Sequence, residues 1–221
     1  MAGFALLFAL ASIITLYGGS GAIAGTRPDN ATDASTVIAF YDHPALAILF
    51  WQAVLGVMGI AFFALAFRRY LGAFTASPFS RQLADFGVAL ALIEVPVAFV
   101  EFGMQRSLVR LAGLRDVSVL GVFMMWDWID NGTMLWLEFA WVGALSLAAW
   151  TANALPRWLA GYGLVVSLLL LVLAVPGLLL GYPVGVALAA YVPWMIWFVV
   201  TGIYLARGGK RADTPSVGSR I

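Results

Sequence analysis

Apolar runs of about 20 residues recur along the whole chain, and this length limits what it can fold into. A helix of roughly 20 apolar residues crosses the hydrocarbon core of a bilayer, where every backbone amide must bond within its own helix. Hydrophobic residues make up 63% of the 221 residues and charged residues only 10%, against about 25% charged residues in soluble domains. The sequence therefore predicts an all-α membrane protein, a polytopic helical bundle. The six predicted spans are about 4–25, 44–67, 84–106, 131–152, 158–180 and 184–206.

Lys and Arg residues predict the orientation of such a bundle, because they are enriched on its cytoplasmic side. With the N-terminus in the cytoplasm, eight of the twelve basic residues fall in inner segments and four in outer ones. This predicts one transmembrane domain over 1–206, both termini cytoplasmic, and a polar cytoplasmic tail over 207–221. A cleaved signal peptide is the alternative for the first run, but no Lys or Arg precedes Phe4–Leu16, which favours an uncleaved helix.

The stretch between the third and fourth spans is harder to assign. Val117–Trp126 is apolar, but its ten residues are too few to cross a bilayer. A single helix joining it to the fourth span would be roughly 50 Å long and would overshoot the membrane. We therefore predict an interfacial or re-entrant helix near 117–126 on the outer face, broken near Asn131-Gly132. A flexible loop is the alternative.

Composition and missing motifs exclude several kinds of chemistry. The chain has no cysteine, which removes disulfides, thiolate catalysis and Cys-based metal sites, and its single histidine is His43. A net charge of +1 provides no field that would attract nucleic acid. The sequence contains no glycine-rich phosphate-binding loop, no serine-hydrolase motif and no zinc-hydrolase motif. We expect no metal and no cofactor, membrane lipid as a partner, and an oligomeric state that the sequence leaves open.

Ionisable residues at membrane depth are the most unusual feature of the chain. Burying a carboxylate in hydrocarbon is costly, so such residues face the interior of a bundle and often mark functional sites. The third span carries Glu94, Glu101 and Gln105, at offsets of seven and four residues that place all three on one helical face. Glu94 is expected about 16 Å below the outer end of this span, at about 1.5 Å per residue.

The fourth span repeats this pattern in the opposite direction. Asp127, Asn131 and Glu138 follow one another at offsets of four and seven residues, with Asp130 displaced around the helix. Glu138 is expected about 10 Å below the outer end. If the two helices pack side by side, their polar faces share one cavity in the outer half of the membrane. The aromatic residues expected to wall this cavity are Trp128, Trp136, Trp141, Tyr191 and Trp194.

When carboxyl groups share a low-dielectric cavity, their mutual repulsion and desolvation favour protonation of at least one of them. A neutral carboxylic acid beside an ionised carboxylate suits acid–base chemistry. Glu94 and Glu138 are the hypothetical acid and base. A structural role is the alternative, in which Glu101 pairs with Arg106 or Arg110. The predicted ligand-binding set comprises the five aromatic residues above with Glu101, Gln105, Asp127, Asp130 and Asn131.

Three functions of different classes fit this pattern. The first is binding of a lipid or apolar small molecule in the outer-half cavity. The second is an intramembrane acid–base enzyme, an isomerase or cyclase acting on an isoprenoid-like substrate, for which protonation and deprotonation suffice. The third is a structural membrane protein without a small ligand. A pocket lined by both carboxylates would favour the first two functions, and a filled bundle would favour the third.

The fourth and fifth spans, with the turn between them, carry a resemblance to known proteins. Here a Gly-containing span that includes Trp141 ends in a short loop, and an apolar helix follows. The matching residues are Leu155, Pro156, Arg157, Leu159 and Gly161. Over about residues 141–178 the chain resembles a broad group of uncharacterised bacterial six-helix membrane proteins, a domain of unknown function. The resemblance implies six spans in a bacterial cytoplasmic membrane and adds no chemistry.

Overall fold

The computed structural model describes residues 22–25, 28, 33–74, 77–180 and 184–208, and the regular elements in these ranges are helices. The helices used below are, in chain order, α1 (Ala34–Tyr41), α2 (Leu46–Leu71), α3 (Pro78–Gly113), α4 (Val119–Trp128), a π-helical turn (Ile129–Met134), α5 (Leu135–Thr151), α6 (Arg157–Leu180) and α7 (Val184–Ala206).

Within the described ranges, four stretches of helix are long and apolar enough to cross a membrane. They are α2, α3, the continuous helix Val119–Thr151, and Arg157–Val175 within α6. The chain is therefore a multi-pass helical integral membrane protein. α7 begins and ends at the boundaries expected for the sixth span, although its described apolar part, Tyr191–Ala206, is shorter. The predicted first span and the predicted tail lie almost wholly outside the described residues, so the six-span topology stays a prediction.

Helices α3 and α5 form an antiparallel hairpin that organises the bundle. The hydroxyl of Ser77 caps the start of α3 by accepting a hydrogen bond from the Ser80 amide. At this end of the hairpin, Ser80 Oγ and Thr151 Oγ1 are 2.8 Å apart. At the other end, a tight turn at 114–118 reverses the chain between α3 and α4. We call these the Ser80 end and the 114–118 end.

Both arms of this hairpin are longer than the spans predicted for them. α3 has 36 residues, about 54 Å at the usual helical rise, and Val119–Thr151 has 33 residues. The predicted break near Asn131-Gly132 is wrong, and neither a separate interfacial or re-entrant helix at 117–126 nor a loop forms there. Instead α4 continues through the π-helical turn into α5. Asn and Gly weaken a helix, but a wider turn keeps the backbone amides bonded where a break would release them.

Buried apolar side chains form two clusters along the hairpin. The large cluster lies toward the Ser80 end and joins α2, α3, α5, α6 and α7; its bulkiest rings are Phe63, Phe67, Trp141, Trp194, Trp197 and Phe198. The small cluster lies toward the 114–118 end and joins α1, α2, α3 and α4; its rings are Phe40, Tyr41, Phe50, Phe102, Phe123 and Trp126. On α3 the large cluster ends at Ala91 and the small cluster begins at Phe102. Glu94 and Glu101 lie between these two positions.

Candidate carboxylate site

Glu94 lies at the centre of the hairpin with its side chain wholly buried. α3 places it there because Ala91, Glu94, Ala98 and Glu101 recur at three- and four-residue intervals and share one buried face. Across the hairpin, Trp141 Nε1 on α5 donates a hydrogen bond of 2.5 Å to Glu94 Oε1. The second oxygen, Glu94 Oε2, is buried and has no hydrogen-bond partner among the described residues.

Glu138 faces the same place from the other arm of the hairpin. It is 4% exposed and stands one helical turn before Trp141 on α5. Its Oε2 is likewise buried without a hydrogen-bond partner in the described part of the chain. Glu94, Asp130 and Glu101 lie close enough to Glu138 to interact with it electrostatically. The structure thus brings Glu94 and Glu138 together at compatible depths, where the two residue spacings predict them.

The other polar residues of the predicted site differ in their burial. Glu101 and Gln105 are buried on the face of α3 that carries Glu94, as their offsets predict. Asp127 and Asp130 are only half-buried. The side chain of Asn131 lies outside the described part of the structure. We call Glu94, Glu101, Asp130 and Glu138 the carboxylate layer.

Tryptophan rings form one wall beside the carboxylate layer. Trp141 contacts Trp194 and Trp197 of α7, at ring-centroid distances of 6.4 and 6.0 Å. Trp194 in turn contacts Tyr191 at 6.0 Å. The three tryptophans are buried, whereas Tyr191 is half-buried. Three of the five predicted wall residues, Trp141, Tyr191 and Trp194, therefore lie together.

The other two predicted wall residues, Trp128 and Trp136, lie on the outside of the bundle. Their exposed fractions are 55% and 37%, so their assignment to the wall is wrong. Trp128 follows the buried Trp126 by two residues, and Trp136 precedes Glu138 by two. Two residues turn an α-helix by about 200°, which directs these rings away from the buried face. The depth of a ring along its helix therefore does not determine whether the ring faces the bundle interior.

Sequence reasoning missed a close meeting of three helices next to this wall. The buried atoms Ser146 Oγ on α5 and Trp197 Nε1 on α7 have no hydrogen-bond partner among the described residues. Both stand beside Gly163 of α6, where a β-carbon would overlap them. Glycine there permits the close approach of the three helices. Ser146 follows Glu138 by eight residues and so shares its face, a signal that the sequence did contain.

The two described cavities open at the ends of the hairpin, away from the carboxylate layer. One of about 340 Å³ lies at the Ser80 end, beside Arg68 and Arg81. The other, of about 420 Å³, lies at the 114–118 end beside His43, Asp42 and Arg115. None of the predicted site residues lines either cavity, so neither is the pocket lined by Glu94 and Glu138 that would favour binding or catalysis over a structural role. In the ranges that the structure covers, no group of three or more His, Asp and Glu residues is placed to hold a metal ion.

No protein family model, no curated protein and no solved structure matches this chain. The resemblance of residues 141–178 to uncharacterised six-helix membrane proteins stays a prediction. The fold itself is that of a multi-pass helical integral membrane protein, in which the buried Glu94 and Glu101 lie between two apolar clusters.

Proposed function

We propose that the protein binds a lipid or other apolar small molecule at the carboxylate layer, through hydrogen-bond donors at the molecule's polar end. The observation that carries this proposal is the pair of buried oxygens Glu94 Oε2 and Glu138 Oε2, which lack hydrogen-bond partners among the described residues. A buried polar atom without a partner costs about 1–3 kcal/mol. A hydroxyl or ammonium group placed between the two carboxyls would remove this cost at both.

The surroundings of the two carboxyls favour an amphiphilic ligand over a free ion. Trp141 and Trp194 supply buried aromatic surface close to Glu94. The faces of such rings attract a cationic group, and their area suits an apolar body. With both termini in the cytoplasm, the carboxylate layer falls in the outer half of the membrane, so the proposed ligand enters from that leaflet. This orientation rests on the distribution of basic residues.

Native mass spectrometry of the protein, purified in a mild detergent, tests the proposal. We expect a co-purified molecule on the wild-type protein. Its occupancy should fall about tenfold or more in Glu94→Gln and in Glu138→Gln, equivalent to about 1.4 kcal/mol. Glutamine is nearly isosteric with a neutral glutamic acid, so both variants should fold. Asp116→Asn is the matched control, because it removes an exposed carboxylate far from the layer, in the 114–118 turn.

A structural role for the carboxyls gives a different result. The wild-type protein would then carry no specific molecule, or all three variants would retain it equally, and either outcome would overturn the binding role. If Glu94 or Glu138 were the ionised partner of a buried arginine, its Gln variant would instead lose about 3–5 kcal/mol of stability. Thermal unfolding of the same samples measures this loss.

Acid–base catalysis on the bound molecule is a second candidate, favoured by the unequal surroundings of the two carboxyls. Glu94 accepts a hydrogen bond from the indole N–H of Trp141, whereas Glu138 lies within electrostatic range of three other acidic groups. Carboxyls in unlike environments can divide the acid and base roles that isomerisation or cyclisation of an isoprenoid-like substrate requires. Conversion of the co-purified molecule by the wild type and not by Glu138→Gln would support this candidate, and binding without conversion would exclude it.

A further inference from the structure

The cavity at the Ser80 end lies between α2, α3 and α5, apart from the carboxylate layer. Its volume of about 340 Å³ is within the range of roughly 300–1,000 Å³ found for small-molecule sites. The exposed side chains of Arg68 and Arg81 stand at its opening. The buried part of its wall consists of Leu71 and the small residues Ser80, Ala84 and Ala148.

A chain of hydroxyl groups and the small size of the wall residues explain why this space stays open. Thr151 Oγ1 donates to a backbone carbonyl of α5 at 2.9 Å, so Ser80 Oγ donates to Thr151 Oγ1. Ser77 Oγ, which is 3.0 Å from Ser80 Oγ, completes the chain. These bonds tie the start of α3 to the end of α5. Ala84 and Ala148 are too small to fill the space beside them.

Two guanidinium groups line this space, and among the described residues a single acidic side chain pairs with them. Arg68 Nε donates to Asp85 Oδ1 at 2.7 Å, which leaves its two Nη atoms for another acceptor. Nη1 stands beside Gly72, whose β-carbon position is 3.7 Å away and which also lines the cavity. No described acidic residue forms an ion pair with Arg81. The opening therefore carries one surplus positive charge, and guanidinium forks match the oxygens of a phosphate.

The cavity lies at the height where phospholipid headgroups are expected. α2 ends at Leu71 and α3 begins at Pro78, so the two arginines flank a reversal of the chain at the ends of two spans. Trp150 and Trp158, near the same end, are 45% and 65% exposed, as is usual for rings at a membrane–water boundary. Phe79, next to Arg81 and 56% exposed, offers apolar surface to an acyl chain.

We propose that this cavity binds a phosphate group between Arg68 and Arg81, as a second site that does not depend on the proposed function of the carboxylate layer. The headgroup of an anionic phospholipid and free phosphate present the same oxygens to the two arginines. Binding requires Arg81 directly. Asp85 weakens phosphate binding, because its carboxylate competes with the phosphate for Arg68.

Native mass spectrometry with defined lipids tests this site. In a neutral detergent the wild-type protein should retain phosphatidylglycerol over phosphatidylcholine by about tenfold, equivalent to about 1.4 kcal/mol. Arg81→Gln should abolish this preference, and Asp85→Asn should increase it. Arg69→Gln is the matched control, since it removes the same charge from the last turn of α2 without touching the cavity.

Sodium phosphate distinguishes the two sources of the group. If millimolar phosphate displaces the lipid, or stabilises the wild-type protein against heat more than Arg81→Gln, phosphate itself is the ligand. If the lipid preference persists and phosphate has neither effect, the whole headgroup is the ligand. Equal loss of retention in Arg81→Gln and Arg69→Gln overturns the proposal. So does equal retention of the two lipids without stabilisation by phosphate.

Discussion

Two of the three acidic residues of α3, nine positions apart, pair in opposite ways. Glu94 is wholly buried and accepts a hydrogen bond from the neutral indole of Trp141. Asp85 has a side chain that is 56% exposed, and it forms a 2.7 Å ion pair with Arg68. The two residues are about 14 Å apart along the helix axis. Depth thus selects the partner: burying a second charge costs more than the pair returns, whereas a neutral N–H avoids that cost.

Replacing Trp141 should have the largest effect, because it removes both the donor and the packing around the buried partner. We expect Trp141→Ala to cost about 3 kcal/mol, the lower end of the usual range for a buried tryptophan. The lower end applies because helices separated in a detergent micelle still lie in apolar surroundings, so that packing is what is lost. Denaturant unfolding in detergent measures the change. Trp158→Ala, at a ring that is 65% exposed, is the control and should change stability by less than about 0.5 kcal/mol.

Adding a methyl group at Gly163 tests how tightly α5, α6 and α7 pack against one another. We expect Gly163→Ala to cost about 1–3 kcal/mol, because its β-carbon would overlap Ser146 Oγ and Trp197 Nε1. Gly103→Ala on α3 is the control, since no neighbouring atom lies within 4 Å of its β-carbon position. Alanine there should be neutral or stabilising by up to about 1 kcal/mol. Equal unfolding midpoints for the two variants would show that the three helices can move apart to accommodate the methyl group without loss of stability.

Double-mutant cycles compare the two pairings of α3 directly. Trp141→Phe with Glu94→Leu, which removes the acceptor oxygens, should show a coupling of about 1 kcal/mol that does not respond to salt, because the bond is buried. Arg68→Gln with Asp85→Asn should show about 0.2–1 kcal/mol at low salt. The second coupling should largely disappear in about 1 M salt, where the screening length is near 3 Å. A coupling at Glu94 that falls with salt would contradict the assignment of a buried hydrogen bond to Glu94 and an exposed ion pair to Asp85.

Asp33 extends the comparison to a fully exposed carboxylate. Its contribution to stability should be the smallest of those compared. Hydrogen bonds from the side chain and amide of Ser35, and then from Thr36, hold the pKa of Asp33 below its ordinary value of 3.8. Because the pKa is lowered by folding, the cap stabilises α1 fully above pH 3.8 and loses this contribution as the pH falls through the lowered pKa.

An NMR titration of the Ser35 and Thr36 amide shifts measures the pH dependence of this cap. Asp33→Asn keeps a good N-cap without a titrating group, so its shifts should stay flat over the same pH range. A midpoint for the wild type at or above the ordinary aspartate value would mean that the cap does not form in solution.

The helical fold class and the shared buried face of Glu94 and Glu101 were predictable, because both depend on patterns along single helices. Apolar run length identifies the spans without any knowledge of how they pack. The offset of seven residues between Glu94 and Glu101 places both on one buried face of α3. Counting residues from the span ends places Glu94 and Glu138 in the same half of the membrane, about 16 and 10 Å below the outer ends of their spans.

Rotation and lateral contact were not predictable in the same way. The π-helical turn spaces its hydrogen bonds one residue wider than an α-helix, so the faces of α4 and α5 are out of phase. Asp127 was predicted on the face of Glu138 and is only half-buried. The contact of Gly163 with Ser146 and Trp197 depends on three helices at once, and although Ser146 shares the face of Glu138 on α5, no spacing within one helix shows which helices meet there.

Glu94 stands near the midpoint of α3, sixteen residues after Pro78 and nineteen before Gly113. A transmembrane voltage falls across the hydrocarbon, so a charge at this height lies partway down the electric field. Moving one elementary charge through the full field of 100 mV changes the energy by about 2.3 kcal/mol, and half of the path accounts for roughly 1 kcal/mol. If the proposed cationic ligand, or a proton, reaches Glu94 from one side of the membrane, it crosses part of this field, and its binding should then depend on the membrane voltage.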